Sequence, residues 1–401
     1  VMENYSRRFS ISFPNEELPA GRPLQTSPIH DQLDAANAVW GSSYGLEQPL
    51  WFQRPGAEPV EQVTFHRSNA FDVVADEVHA TRTGVGLLET TGFAKHEFTG
   101  PGARAFLERT MANRIPEPGR MALTPMLNHQ GMLIGDFTVA TISTATDPTD
   151  PTGGPEKFVV FGSGAAEGHH ERWFRSQLRA SRSTGLESSP ECESTGGRVA
   201  YRPLSHEMAG LSISGPAARH VLASLTGMDV SNDSFRFLDV RRMDLGMVRA
   251  LVARISFTGD LGYEFWVPAS LQQRLFHLLS EAGEPHGMRL FGLRALDSMR
   301  FDKGFGAWAS EYRPVYTPWE ARMDRFVKLD KGDFIGREAA AASLAAGPER
   351  RLCLLDVDVD GADALGDEPI WHDGEVVGWV TSGGYAHWSE VSCALGYLPV
   401  A

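Results

Sequence analysis

The chain has 401 residues, 42% of them apolar and 22% charged, enough for two or three domains around a sizeable core. Its 37 Lys and Arg against 51 Asp and Glu give a formal charge of −14, which excludes a general nucleic-acid binder but leaves room for one small basic pocket. No apolar run approaches the roughly 18 residues of a membrane span, and the scattered Cys192, Cys353 and Cys393 give neither a disulfide framework nor a thiolate zinc site, which points to a reducing compartment.

Residues 1–65 form a Pro- and Gly-punctuated arm in which only His30–Val39 has the period of a short helix. The arm opens Val-Met-Glu-Asn-Tyr-Ser-Arg-Arg without the apolar stretch of a secretory signal, and reads as a chain entered partway along. Its aromatics Phe9, Phe13, Trp40, Trp51 and Phe52 need another body to cover them, so the arm reads as an ordered connection rather than a source of catalysis. The pattern then becomes regular. Phe71–His79 predicts a helix, Gly86–Thr90 and Phe93–Thr99 predict strands, and Gly100-Pro101-Gly102 opens a helix through Phe106 and Leu107. Residues 132–142 read as a mostly buried strand, 144–155 as a surface loop, and Phe158–Phe161 as a short strand. A helix over 165–180 turns Trp173 and Phe174 inward, and 181–198 is polar and loop-like.

A second round follows. Gly210-Leu211-Ser212-Ile213-Ser214-Gly215-Pro216 echoes Phe98-Thr99-Gly100-Pro101, and strand, Gly-Pro turn and helix in both halves predict a pseudo-duplicated α+β body rather than a parallel βαβ sheet. Strands at Ala250–Ser256 and Glu264–Val267, helices at Leu271–Glu281 and Phe291–Arg300, and an Ala-rich helix after Gly336 complete it. Residues 351–401 break into short strands at Arg351–Val357, Glu375–Thr381 and Cys393–Leu398, a small β module. The division is therefore an arm over 1–65, a main body over 66–345 and a C-terminal module over 346–401.

No GxGxxG stands between a strand and a helix, and neither HExxH, GxSxG nor a P-loop occurs. His169-His170 reads as a pair on a solvated helix rather than a metal site. Four segments carry what specificity there is. In Met126–Val139, Asp136 lies inside an apolar strand, where a carboxylate costs several kcal/mol unless paired; it either caps structure or serves chemistry. In Arg254–Trp266, two glycines make a tight turn before Glu264, a carboxylate among aromatics that suits a planar heterocycle offering two adjacent N–H donors. Ala295–Gly304 reads as a helix C-terminus with Arg300 and Lys303 favoured by the dipole. Lys328, Lys331 and Arg337 form either a local basic patch or a solvated charge run.

Taken in order, these segments resemble the aminomethyltransferase (glycine-cleavage T-protein) family, with a closer likeness to the C-terminal, folate-binding half of dimethylglycine and sarcosine dehydrogenases. The likeness begins at Asn15-Glu16-Glu17-Leu18-Pro19-Ala20-Gly21-Arg22-Pro23 and Tyr44-Gly45-Leu46-Glu47, similar to the stretch after the FAD domain of those dehydrogenases. It continues through Leu127-Asn128, Gly135-Asp136-Phe137-Thr138, Phe257–Glu264, Lys328–Arg337 and Val380-Thr381-Ser382-Gly383-Gly384, some 380 residues in register. The resemblance implies a three-part body that binds tetrahydrofolate in a central channel, closed by a C-terminal β-barrel of which this chain lacks the last strands. It implies Asp136 as the catalytic carboxylate, Glu264 as the acid gripping the pterin edge, Tyr263 and Phe257 lining the ring, Asn128 and Arg300 as further cofactor contacts, and no metal. Two positions depart from the T-protein pattern: Leu296 stands where a folate-contacting arginine is found, which moves that contact to Arg294 or Arg300, and Gly135-Asp136 replaces paired acids.

The implied function is the folate module of a dimethylglycine dehydrogenase-like N-demethylase, forming 5,10-methylene-tetrahydrofolate. FAD would belong only to a partner or a missing N-terminal domain, and the other partner would be a small methylated substrate. The alternatives are a stand-alone demethylase moving a methyl group from a small donor directly to folate, and a non-catalytic folate-fold scaffold. The implied compartment is the cytoplasm, or the mitochondrial matrix in a eukaryote.

Overall fold

The computed structural model describes residues 2–142, 156–183 and 199–400. The loop read over 144–155 lies outside the described residues, as does 184–198, with Cys192, of the loop read over 181–198; residues 181–183 instead end a helix. The arm starts with a short helix α1 (Met2–Ser6) and, after α2 (His30–Ala35), turns into a hairpin of β1 (Ala38–Ser43) and β2 (Leu46–Phe52). The helix expected over His30–Val39 thus stops at Ala35, and a strand takes over. Asn37, at φ 68, adopts the left-handed conformation that breaks the helix. The hairpin buries Trp51 completely, while Phe9 stays 92% exposed.

After α3 (Phe71–Thr83) and β3 (Gly86–Glu89), the first repeat runs β4 (Ala94–Thr99), α4 (Ala103–Thr110), β5 (Arg120–Leu127), β6 (Leu133–Ile142), β7 (Lys157–Gly162) and α5 (Glu167–Ser183). After β8 (Ala200–Pro203), the second repeat runs β9 (Met208–Ser214), α6 (Ala218–Leu225), β10 (Val240–Leu245), β11 (Val248–Ala253), β12 (Gly262–Pro268) and α7 (Gln272–Gly283). Sheet order confirms the duplication: β5-β6-β7-β4 in one sheet and β10-β11-β12-β9 in the other. Each first strand ends in a glycine with positive φ, Gly100 at 100° and Gly215 at 121°. At Gly215 a Cβ would stand 2.2 Å from the Thr81 carbonyl oxygen, so no other residue fits that turn. The strand preceding each repeat joins the other repeat's sheet: β3 pairs with β9, and β8 with β4.

Alternation along the strands gives each sheet two buried faces. Phe137, Val139 and Val160 face α4 and α5, while Tyr263, Phe265 and Val267 face α6 and α7. The opposite faces meet each other, Ala140, Val159 and Phe161 against Leu251, Ala253 and Trp266. A third cluster binds α3 and α8 (Leu293–Phe301) to the hairpin through Val78, Met299, Leu296 and Trp51. A short β13 (Arg289–Leu290) extends the second sheet beside β3.

Beyond α9 (Arg337–Ala346), the chain forms β14 (Arg350–Asp356), β15 (Pro369–His372), β16 (Glu375–Ala386) and β17 (Val391–Pro399) in the order β14-β17-β16-β15. This module is an open antiparallel sheet, not a closed barrel, and it docks through Tyr316 stacked on Tyr397 at 3.7 Å between ring centroids. Among the described residues, no helix is long and apolar enough to cross a membrane.

Candidate functional site

Strand register places Leu88, Ser212, Glu264 and Ala253 side by side across β3, β9, β12 and β11. Directly paired residues of antiparallel strands share a face, so Glu264 projects, like Ala253, toward the layer between the two sheets. There it enters a narrow cavity with Leu88, Thr90, Phe93, Ser212, Ser214, Phe257, Phe291 and Leu296 on its walls. The Thr90 and Ser214 hydroxyls are buried without a hydrogen-bond partner among the described residues. Burial pushes the Glu264 carboxyl up to about 7, with the Trp266 indole N–H pulling weakly the other way. That N–H makes no hydrogen bond of ordinary geometry with any described residue. Aromatic walls, a carboxylate and unspent hydroxyls form a donor and acceptor set that fits a flat ring with polar edges. The space as it stands is about 10 Å3, roughly one water, so admitting a bicyclic ring requires the lining side chains to swing aside.

Asp136 lies on β6 opposite Pro125, between Gly135 and Phe137. Phe137 packs toward the helices, so alternation sends Asp136 to the inter-sheet side. Its Oδ1 is buried and unpartnered among the described residues. Burial raises the carboxyl to about 7, and the negative charge of Glu311 adds to that rise. Gly135 is required here: a Cβ would stand 2.3 Å from the Phe137 ring and 3.1 Å from His170 Nε2. A second acid at that position has no room.

Glu264 and Asp136 therefore face the same inter-sheet layer from different sheets, but Asp136 is not on the wall of the Glu264 cavity. The segment after α8 packs on the cavity and comes within electrostatic reach of Asp136. Phe257 of the cavity packs against Phe305 at 6.0 Å, and the Phe305 carbonyl accepts from Arg300 Nη1 at 2.9 Å. Arg300 lies 3.6 Å from Glu311, and burial, with the charges of Asp136 and then Glu311 adding to it, pushes up the Tyr312 hydroxyl.

Of the catalytic and cofactor-binding residues expected from the sequence, Glu264 and Phe257 share the cavity, and Asp136, Tyr263, Asn128 and Arg300 do not line it. Tyr263 points the opposite way, fully buried, stacked on Phe235 at 5.8 Å and accepting a hydrogen bond from Arg219 Nε at 3.2 Å. Neighbours on a strand cannot line the same face. Asn128 closes the turn after β5, its Oδ1 accepting from the amides of Gln130 (2.9 Å) and Met132 (3.0 Å). Arg300 is spent on structure, bound to Asp297 at 2.7 Å and to Ser382 of the C-terminal sheet at 3.3 Å. Arg294 pairs with Glu61 at 2.6 Å, and Leu296 supplies cavity wall where a cation had been sought.

Two weaker readings also change. His169 is exposed but His170 is wholly buried, its Nε2 2.9 Å from the Ile134 carbonyl oxygen, so the pair does not sit on a solvated face. The basic run is partly tied into the fold: Lys331 is bound to Glu108 and the Asn113 carbonyl (2.7 Å each), and Arg337 donates to the Leu329 carbonyl at 2.8 Å. Sequence reasoning missed Thr90, Ser214, Phe93 and the fully buried Glu311. Of these, only Glu311 carried a signal, as an acid in the aromatic stretch Trp308–Tyr316.

Comparisons with known proteins bear on this geometry. Residues 29–331 match the GCVT N-terminal domain, and residues 350–401 match the glycine cleavage T-protein C-terminal barrel domain. The chain is 33% identical to mitochondrial dimethylglycine dehydrogenase of Mus musculus over 99% of its own length, but spans only 43% of that protein. It is 27% identical to an aminomethyltransferase of Desulfitobacterium hafniense, with 88% of this chain and 89% of that one covered. The crystal structure of the glycine cleavage system aminomethyltransferase T from Bartonella henselae superposes with a TM-score of 0.72 at 21% identity, covering 94% of this chain and 90% of that one, which shows a shared fold.

Proposed function

The chain belongs to the glycine-cleavage T-protein family, whose aminomethyltransferases are folate-dependent enzymes, and from that premise we propose that it is the tetrahydrofolate module of a dimethylglycine dehydrogenase-like N-demethylase, yielding 5,10-methylene-tetrahydrofolate. The observation that carries the reading is the pair of carboxyls, Glu264 and Asp136, each directed into the layer between the sheets and each raised to about 7 by burial.

Bound tetrahydrofolate supplies the amines that take up the one-carbon unit. Glu264, ionised, would accept hydrogen bonds from N–H groups of the ring, with Phe257 and Phe291 as apolar wall. Thr90 and Ser214 would offer it their free hydroxyls. Asp136, balanced between its two protonation states at neutral pH, takes or returns a proton at its free Oδ1 and stabilises positive charge nearby. Flavin chemistry belongs in this reading to a separate domain or partner, and the matrix is the compartment suggested by the mitochondrial relatives.

A second reading, a stand-alone enzyme moving a methyl group directly to folate, is favoured by one observation: the aminomethyltransferase matched over 89% of its length has no extra half. Activity of the purified chain without flavin separates the two. Asp136→Asn should abolish most turnover while folate still binds. Glu264→Ala should weaken folate binding by about 2–5 kcal/mol, because the ring N–H groups lose a charged partner. Unchanged folate affinity in that variant removes the pterin assignment, and unchanged turnover in Asp136→Asn removes the catalytic one.

A further inference from the structure

Five arginines gather around the segment between α6 and β10, in a chain whose formal charge is −14. Three of them, Arg120, Arg236 and Arg241, converge on one carboxylate, the buried Asp239, with Arg236 at 3.7 Å and Arg241 at 3.6 Å. The other two, Arg219 and Arg254, meet no carboxylate among the described residues. Their guanidiniums converge on a neutral oxygen, Asn232 Oδ1, which accepts from Arg219 Nη2 at 2.5 Å and from Arg254 Nη2 at 2.7 Å. Of the nearby acids, Asp229 accepts from the Ser231 amide at 2.8 Å and the Ser234 hydroxyl at 2.6 Å, and the exposed Asp233 pairs with neither arginine. Two like charges on one amide oxygen repel each other, and a neutral group offsets them only in part.

The fold holds the pair in place. Arg219 Nε donates to the Tyr263 hydroxyl at 3.2 Å, and Arg254 Nη1 to the Phe235 carbonyl at 2.5 Å. The rings of Tyr263 and Phe235 are fully buried and stacked at 5.8 Å, so one rigid aromatic pair anchors both guanidiniums. Arg219 is the second residue of α6, whose first turn carries no acid, and the positive end of that helix adds to the field. Both arginines are half-buried and Asn232 is exposed, so their meeting point is open to water. Arg219 Nη1 and Arg254 Nε donate to no described residue.

We propose that Arg219 and Arg254 form a binding site for a phosphate group at Asn232. Two planar forks, one from α6 and one from the end of β11, suit a tetrahedral dianion with several terminal oxygens, whereas a carboxylate fills only one fork. Neither arginine lines the Glu264 cavity, and the site does not depend on the folate reading.

Titration of the full chain with inorganic phosphate at about pH 8, where phosphate is a dianion, followed by the phosphorus NMR signal at constant ionic strength, tests this. Binding should be saturable, and acetate should not displace it. Arg219→Gln and Arg254→Gln should each weaken it at least about tenfold. Asn232→Asp, which seats a carboxylate between the forks, should raise the melting temperature and also weaken phosphate at least about tenfold, a test that stands even where an arginine variant does not fold. Arg109→Gln, which removes an exposed cation paired with Asp333 instead, should leave binding unchanged. Glycerol phosphate in the same assay identifies the source: tighter binding than inorganic phosphate assigns the site to a phosphate ester, equal or weaker binding to the free ion. No saturable binding, unchanged affinity in Asn232→Asp, or an equal loss in Arg109→Gln overturns the proposal.

Discussion

A carboxyl whose folded pKa is near 7 is half-ionised at neutrality, and Glu264 is of that kind only while nothing bonds to it. Donors at its oxygens favour the ionised form and return it toward its ordinary 4.5. Ligand binding near pH 6.5 should therefore release a proton. Titrating tetrahydrofolate in buffers of different ionisation enthalpy should show release of about 0.5–1 proton at pH 6.5, falling toward zero by about pH 8.5, where the group is already ionised. Glu264→Gln should bind more weakly and release none; an undiminished release would assign the proton elsewhere. The two acids were legible in the sequence for one reason, a charge inside an apolar strand. Tyr263 was not, because a single step along β12 reverses the face and the run Gly262-Tyr263-Glu264-Phe265-Trp266 is apolar on both sides of the acid. Thr90 and Ser214 have no chemical mark in the sequence. Their significance comes from being buried without partners, which is a property of the fold.

Elements were legible where a strand is largely apolar, as in β6, β7 and β9, whereas β4 was read in spite of Lys95, His96 and Glu97. They were hidden where one face is charged or the strand is short. β10 reads Val-Arg-Arg-Met-Asp-Leu with Arg242 and Asp244 outward, β5 carries Arg120 and Pro125, and β8 is four residues on an edge. The docking of α5 on β6 was misjudged through His170, whose ring lies 4.6 Å from Phe137 and bonds the Ile134 carbonyl. Burial drives His170 down to about 3 and His96, on β4, down to about 4. The unfolded chain takes up these protons near pH 6.5 and the folded one does not, so their contribution is complete above pH 6.5 and is lost as pH falls, by roughly 2 kcal/mol per histidine at pH 5. Glu264 and Asp136 act in the opposite direction, since their raised values make ionisation above about pH 4–5 unfavourable to the fold. A comparison of variants isolates the histidine. His170→Phe should be about 1–3 kcal/mol less stable than wild type to urea at pH 7, through the unpaired carbonyl, and the gap should narrow by about 2 kcal/mol at pH 5. A gap independent of pH would place the proton on His170 in the folded state.

At the scale of the whole molecule, the parts are tied by buried ion pairs as well as by apolar contact. Arg82 of α3 reaches Asp260 at 2.8 Å and Asp302 at 3.2 Å, and Asp302 in turn accepts from Ser389, in the turn between β16 and β17, at 2.6 Å. Arg300 and Glu311 make a second tie to that sheet through Ser382. The duplication was visible as two Gly-Pro turns, but the crossed pairing of β3 and β8 was not, because neither Gly86–Glu89 nor Ala200–Pro203 says which edge it will join.

That crossed pairing has a genetic corollary. Neither half is self-sufficient, since each sheet takes an edge from the sequence ahead of the other repeat. A gene cut after the codon for Ser183 should yield two polypeptides that are insoluble or unfolded when produced separately and that restore one another's circular dichroism and folate affinity when produced together. Two independently soluble halves would contradict it. By the same logic, a half-length ancestor with this strand order would have worked as a pair of identical molecules lending each other a ribbon, and fusion into one reading frame would have made the loan permanent.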